Sequence, residues 1–522
     1  MRDIVTNQRL WSNIGINKRK LLSEGITALF SVPRFEATHT VDLSRGWFSK
    51  GQWYDILTQV VNSSHPIEEL NLAEAQLNDV ELDLFVAAIC NVRKVNLARV
   101  QGQHLHWENI FMKIENSSKI EQIDLSENIL VDVPVELFAG TLSKLDQVEL
   151  KDALITNQQL QALISRSKDT KTKLSANIIC ENLHQPPVHL PSAFLHLQKL
   201  SLYLEDPTSL TWRSVVEALA SSSVLSEVNI EGVGVNMAQV PPGLLASSLS
   251  RLGRVRLSGV ELSGEQWRAV VASLTTSLTT SELGLRMVNL TPVSPASLAR
   301  AVSRLTSLSL EYAVLTEEQW QAVLSSCPLT PSLSSLTISY INLANIQPHL
   351  LASLTLTCAH LDLSHTGLLP SQLELLLSSV PRSSVIRDLS LQGLDLSAVE
   401  DSVIARASLY LVRVSLRKTR LSIKQSTALL VANLGRSRLK VLDLSHVNLS
   451  GVDSDLLALS LTRFREVDLS CTWLTKEQIV RLVKQVSKFT KLEFLKLQSA
   501  TASLLNQEMK QTLTKNLKLV IF

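Results

Sequence analysis

The feature that most constrains this chain is a repeated triplet, apolar–x–apolar, with a small or polar residue in the middle. It occurs at Val41-Asp42-Leu43, Leu70-Asn71-Leu72, Val95-Asn96-Leu97, Ile123-Asp124-Leu125 and Val148-Glu149-Leu150. It resumes at Leu200-Ser201-Leu202 and continues through Leu495-Lys496-Leu497. From Val255 onward the spacing alternates strictly between 28 and 25 residues, and the same alternation of 28 or 29 with 25 runs from Val41 to Val148. The unit is therefore a pair of unlike repeats, 53 residues long. A fixed period of this size predicts a stacked array rather than separate globular domains.

Each triplet predicts a short strand whose outer residues enter a core while the middle one faces away. The segments that follow predict helices. Ser263-Gly264-Glu265-Gln266, Thr316-Glu317-Glu318-Gln319 and Thr475-Lys476-Glu477-Gln478 carry the Ser/Thr-x-x-Gln box that closes a helix start. The shorter repeats have three fewer residues and predict shorter helices. Strand, turn, helix and parallel strand make a right-handed crossover. Strands need about 4.8 Å and helices about 10 Å of stack, so a curved α/β solenoid is expected, a horseshoe with a concave parallel sheet and convex helices. Trp53, Trp107, Trp212, Trp267 and Trp320 recur at one helical position and read as core anchors. Residues 165–199 are irregular, because only Leu174-Ser175-Ala176 offers a strand beside a charged run and Pro186, Pro187 and Pro191. A degenerate repeat is expected there, with a hinge as the alternative. The end, Leu517 to Phe522, reads as a last strand whose open edge needs cover from its own terminal residues or another chain.

This pattern resembles the leucine-rich-repeat family, and the alternation of two lengths resembles its ribonuclease-inhibitor-like subclass. The family places Asn after the strand, where its side chain bonds backbone in a ladder. Here Asn128, Asn289, Asn342 and Asn448 are the candidates. The first residues resemble the closing segment of an F-box: Arg2, Asp3 and Ile4 as a helix end, Leu10 and Trp11 as the wedge against the repeats, and Asn13-Ile14-Gly15-Ile16 as a first edge strand. That resemblance implies residues 1–40 as a cap and 41–522 as the solenoid. It also implies a substrate-recognition subunit of an SCF-type ubiquitin ligase. The Leu-Pro-x-Glu opening that grips the Skp adaptor is absent from the sequence, so Skp and cullin are expected partners only if a complete F-box lies upstream.

Fifty Lys plus Arg stand against 48 Asp plus Glu, a net +2, which removes the electrostatic case for a nucleic-acid binder. Five scattered Cys without a CxxC argue for a reducing compartment, cytoplasmic or nuclear. No apolar run is long enough to span a membrane, so no membrane partner is expected. Phosphate-loop, dinucleotide, zinc-protease and nucleophile-elbow motifs are absent. The paired histidines His104/His106 and His184/His189 lack further ligands at metal spacing. Cys358 and Cys471, in or beside strands, read as small buried thiols. Neither enzyme, metal nor cofactor is expected.

What remains is the sheet face. Lys199, Arg254, Arg256 and Arg286 lie there with Glu227, Glu231 and Glu282, and further on His360, Asp362, Asp388, Arg413, Arg417, Asp443, Glu466 and Asp468. The second group, acidic with two arginines among the acids, is the candidate contact for a protein target, because a mixed-sign strip selects a complementary partner. A free-standing scaffold or inhibitor, or the repeat region of an innate-immune type receptor, remains the alternative.

Overall fold

The computed structural model describes residues 13–15, 40–44, 48–63, 67–78, 80–102, 106–150, 153–156, 158–159, 162–163, 166, 173–180, 197–204, 212–329, 333–435, 437–488, 491–497, 503–517 and 519–521. They form two compact units, Met1–Asn229 and Ile230–Phe522.

In the first unit, parallel strands follow chain order: Asn13–Gly15, Thr40–Asp42, Glu69–Asn71, Lys94–Asn96, Gln122–Asp124, Gln147–Leu150, Lys173–Cys180 and Leu197–Leu204. The first of them is the expected edge strand, with Ile14 opposite Val41. Lys173–Cys180 is longer than the expected triplet, and Leu174 still pairs with Val148. Its pairing to the next strand carries a shift between Leu174 and Ser175. This strand thus keeps its place in the sheet. In the second unit the strands Arg254–Glu261, Glu282–Arg286, Ser307–Glu311, Ser335–Ser339, His360–Asp362, Asp388–Ser390, Arg413–Ser415, Val441–Asp443, Glu466–Asp468, Phe494–Lys496 and Leu519–Ile521 pair in the same parallel manner.

Register follows the triplets. Leu283, Leu308, Leu336, Leu361, Leu389, Val414, Leu442, Val467 and Leu495 lie opposite one another in sequence along the second unit. None is more than 8% exposed. Full burial of one such side chain is worth about 1.5–3 kcal/mol, so every repeat adds its increment only when a neighbour covers it. The middle residues alternate to partial exposure and face away from the helices.

Helices of the longer repeats have 9 to 13 residues, as in Trp107–Glu115 and Gly264–Thr276. Those of the shorter repeats have 7 or 8, as in Pro348–Leu354 and Ser454–Leu461. The tryptophans stand where the helices meet the sheet: Trp53, Trp212, Trp267 and Trp320 are at most 4% exposed. Trp107 departs from the group and is only half-buried.

The box glutamines do more than cap. Gln266, Gln319, Gln372, Gln425 and Gln478 recur every 53 residues and are at most 3% exposed. Each Oε1 accepts the N–H of the residue before its helix, and each Nε2 donates to two or three carbonyls of the preceding repeat. For Gln425 these are Ser422 N–H at 2.8 Å, and the carbonyls of Leu396, Val399 and Ser397 at 2.7, 2.6 and 3.4 Å. Gln159 does the same in the first unit, to Leu130 and Val133. A buried amide with its donors and acceptor satisfied rivets one repeat to the next.

The expected asparagine ladder needs correction. Asn128 alone of the four plays that part, buried and donating to the carbonyls of Leu97 and Leu125. Asn289, Asn342 and Asn448 sit one residue further from their strands. Each accepts the backbone N–H two residues on, an Asx turn at the surface. At the position equivalent to Asn128 stand Thr366, Thr419 and Thr472, whose hydroxyls donate to Leu363, Leu416 and Leu469 at 2.6 to 2.7 Å. A hydroxyl reaches the carbonyl of its own turn and leaves the neighbouring repeat to the glutamine.

Candidate protein-binding surface

The sheet face carries two charged columns. The first holds the residue just before each triplet, and pairing places Arg254 opposite Glu282, and His360 opposite Asp388 and then Arg413. In the first unit Lys199 and Glu227 hold the same position. Most cations here are taken. Lys199 Nζ lies 3.7 Å from Glu227, and Arg254 meets Glu282 through two hydrogen bonds, one of 2.6 Å. That contact holds the Glu282 carboxyl below its usual range. His360 Nδ1 lies 2.8 Å from Asp388 Oδ2. Arg286 bridges Glu231 at 3.6 Å and Glu311 at 4.0 Å. Arg256 lays its aliphatic stem over Gly284, where an added Cβ would stand 3.1 Å from its Cγ. The first charged group named from the sequence is thus largely spent on itself.

Arg413 breaks the series. Its neighbour one strand on is Val441, where the earlier pairs have an acid. Among the described residues Arg413 and the exposed Arg417 enter no ion pair. The second column is acidic. Asp362, Asp443 and Asp468 each turn Oδ1 inward to accept the N–H of Ser364, Ser445 and Ser470 at 2.9 Å. Asp443 Oδ2 also accepts from Ser415 at 3.0 Å, and Asp468 Oδ2 lies 3.5 Å from Lys496. These acids brace the turn that follows the strand and still present negative charge outward. Glu466 stands half-buried in the first column, opposite Val441.

His360, Asp362, Asp388 and Arg413 come together around a shallow 140 Å³ depression floored by Thr337, Ser390 and Ser415. Arg417, Asp443, Glu466 and Asp468 lie outside it. The hydroxyl floor was not named from the sequence, although the middle residues of the triplets spell it. Small side chains there let a partner's backbone approach the sheet. The F-box-like residues Arg2, Asp3, Ile4, Leu10 and Trp11 lie outside the described residues, as do His104, His184 and His189. Among the described residues no group of three or more His, Cys, Asp or Glu is placed to hold a metal ion. No described helix is long and apolar enough to cross a membrane. Cys358 is buried and its thiol pushed up, whereas Cys471, expected to be buried, is half-exposed at a left-handed turn with φ of 57°.

This fold, with its triplet strands and alternating helices, is that of a leucine-rich-repeat solenoid. Comparison with curated proteins agrees at that level. The chain is 24% identical over 196 residues to the NACHT, LRR and PYD domains-containing protein 3 of Homo sapiens and of Macaca mulatta, matching 34% of this chain and 18% of theirs. The Rattus norvegicus protein of that name matches over 188 residues at the same identity. The matched segment therefore spans less than a fifth of these relatives. No family model matches. Among solved structures, the yeast Rad7 and Elc1 complex contains a chain that aligns at 17% identity with a TM-score of 0.46, covering 64% of this chain and 83% of that one.

Proposed function

We propose that the chain is a non-enzymatic recognition solenoid whose sheet face, from His360 to Asp468, holds a protein target in a cytoplasmic or nuclear setting. One observation carries this reading. Among the described residues Arg413 and Arg417 enter no ion pair on a strip where most other cations are matched, and Arg413 borders a floor of small hydroxyls. A free guanidinium among ordered acids offers a bidentate donor site to a carboxylate of the partner. The flanking Asp362, Asp443 and Asp468 reject an all-acidic partner and favour one of alternating sign.

The finer reading, drawn from the F-box resemblance and the ribonuclease-inhibitor-like beat, is that of the substrate-recognition subunit of an SCF-type ligase. The repeat match to relatives whose name includes an LRR domain supports a second reading, the sensing repeats of an innate-immune type receptor.

The test is affinity capture with the wild-type chain and with R413E/R417E, each recovered protein then being purified and titrated calorimetrically. At least one direct binder should lose about a hundredfold in affinity, a tenfold loss per buried guanidinium contact. Direct binders that all tolerate the double reversal would exclude the strip. Titration of the same chain with purified Skp adaptor and cullin decides the ligase assignment separately, since absence of a complex removes that role and leaves target binding intact.

A further inference from the structure

A second surface lies at the rim where the strands of the second unit end. One residue per repeat there adopts a left-handed conformation, with φ of 49° at Tyr312, 57° at Tyr340, 55° at His365 and 74° at Gly393. This turns the side chains of the first three into a single column. The Tyr312 and Tyr340 rings stack at 4.3 Å and 10°, and Tyr340 and His365 at 4.5 Å and 14°. Both ends are closed. Arg286 lies 6.0 Å above the Tyr312 ring, and at the other end a Cβ on Gly393 would fall 2.1 Å from the His365 ring. The ring faces are therefore used up, while the ring edges remain open: Tyr312 is 42% and Tyr340 44% exposed.

Beside this column is a 430 Å³ groove walled by Tyr312, Val314, Tyr340 and Ile341, with Glu317 and Asn345 at its polar side. Val314 is 54% exposed, large for a valine inside a repeat. Among the described residues the one charged group lining the groove is Glu317, the first residue of the helix Glu317–Ser326. Its carboxylate accepts from Gln321 at 3.3 Å and enters no ion pair among the described residues. Among the described residues no cation lines the groove, and Glu317 would repel an acidic occupant. An aliphatic stem fits the apolar walls, and a cationic head fits the carboxylate and the amide and phenol oxygens.

We propose that this groove takes the arginine or lysine side chain of a protein partner, held between the tyrosine edges and Glu317. It is a site separate from the Arg413 strip and stands or falls without it.

The test uses the full chain and four neutral-dye-labelled nonapeptides of one sequence. They differ only in a central arginine, lysine, citrulline or glutamate, flanked by valine and leucine with Gly-Ser ends. Fluorescence anisotropy should show the arginine and lysine peptides binding at least tenfold tighter than the citrulline and glutamate ones. E317Q, an isosteric change on an exposed helix start, should remove about tenfold from the arginine peptide and leave the citrulline peptide unchanged. R413E/R417E should leave all four unchanged. Equal binding of arginine and citrulline, preference for glutamate, indifference to E317Q, or no binding of any peptide would each overturn the proposal.

Discussion

Replacing Gln425 with methionine isolates the contribution of one inter-repeat rivet. Methionine keeps the volume and the burial of a residue 3% exposed, and removes four hydrogen bonds, the longest of them to the Ser397 carbonyl at 3.4 Å. Their loss is unequal. The Leu396 carbonyl retains a bond from Val399 N–H at 2.9 Å, and the exposed Ser422 N–H can turn to water. The Val399 carbonyl is left buried without a described donor. An orphaned buried carbonyl costs about 1–3 kcal/mol, while the Ser422 hydroxyl still caps the helix by accepting Gln425 N–H at 3.1 Å. A loss of about 2 kcal/mol is a large share of the roughly 5–15 kcal/mol that holds a domain together. Urea unfolding followed by amide exchange measures it. The midpoint should fall, and protection should be lost first on both sides of the rivet, around Leu396 to Val399 and Ser422 to Gln425. The control is Gln321→Met, whose amide meets Glu317 on a helix surface. A cost at Gln425 below about 0.5 kcal/mol, or one equal to the control, would refute the view that these amides tie the repeats.

Two further outcomes follow from the rim. Gly393→Ala should destabilise the second unit by at least about 2 kcal/mol, since a Cβ meets both a left-handed backbone and the His365 ring, and thermal unfolding reads it. An unchanged midpoint would show that the column gives way freely. The second concerns pH. Burial first, then Lys418, depress the His365 pKa below 6.5. The unfolded chain then takes up this proton more readily than the folded one, so stability is full above about pH 6.5 and falls as pH drops below it. H365Q should flatten that part of the stability profile, and a profile identical to wild type would exclude His365 as its source.

The strand triplets and their spacing are legible in sequence because burial of aliphatic side chains is the strongest local constraint and leaves a two-residue alternation behind. Val41, Leu70 and Leu495 could be assigned without any structure, and each is fully buried. The helix lengths follow from the three-residue difference for the same reason. The rivets were half legible. Ser263-Gly264-Glu265-Gln266 announces a cap, but the second end of Gln266 reaches carbonyls 26 and 29 residues back, and carbonyls leave no mark in sequence. Thr419 was illegible in its role because a threonine after a strand signals nothing by itself.

Charge is where reading along the chain and reading down the sheet part company. Along the chain, Arg254 and Arg413 look alike, each one residue before a triplet. Down the sheet they differ, because 28 residues later Arg254 finds Glu282 and Arg413 finds Val441. The same comparison sorts the aspartates. Asp362, Asp443 and Asp468 are consensus residues and also surface charges, because Oδ1 braces the turn while the rest of the carboxylate remains on the face. Replacing them with asparagine keeps the brace and removes the charge, whereas alanine removes both. The two substitutions therefore separate a structural acid from a recognition acid at each repeat, and a contact surface is found only where asparagine already weakens the partner.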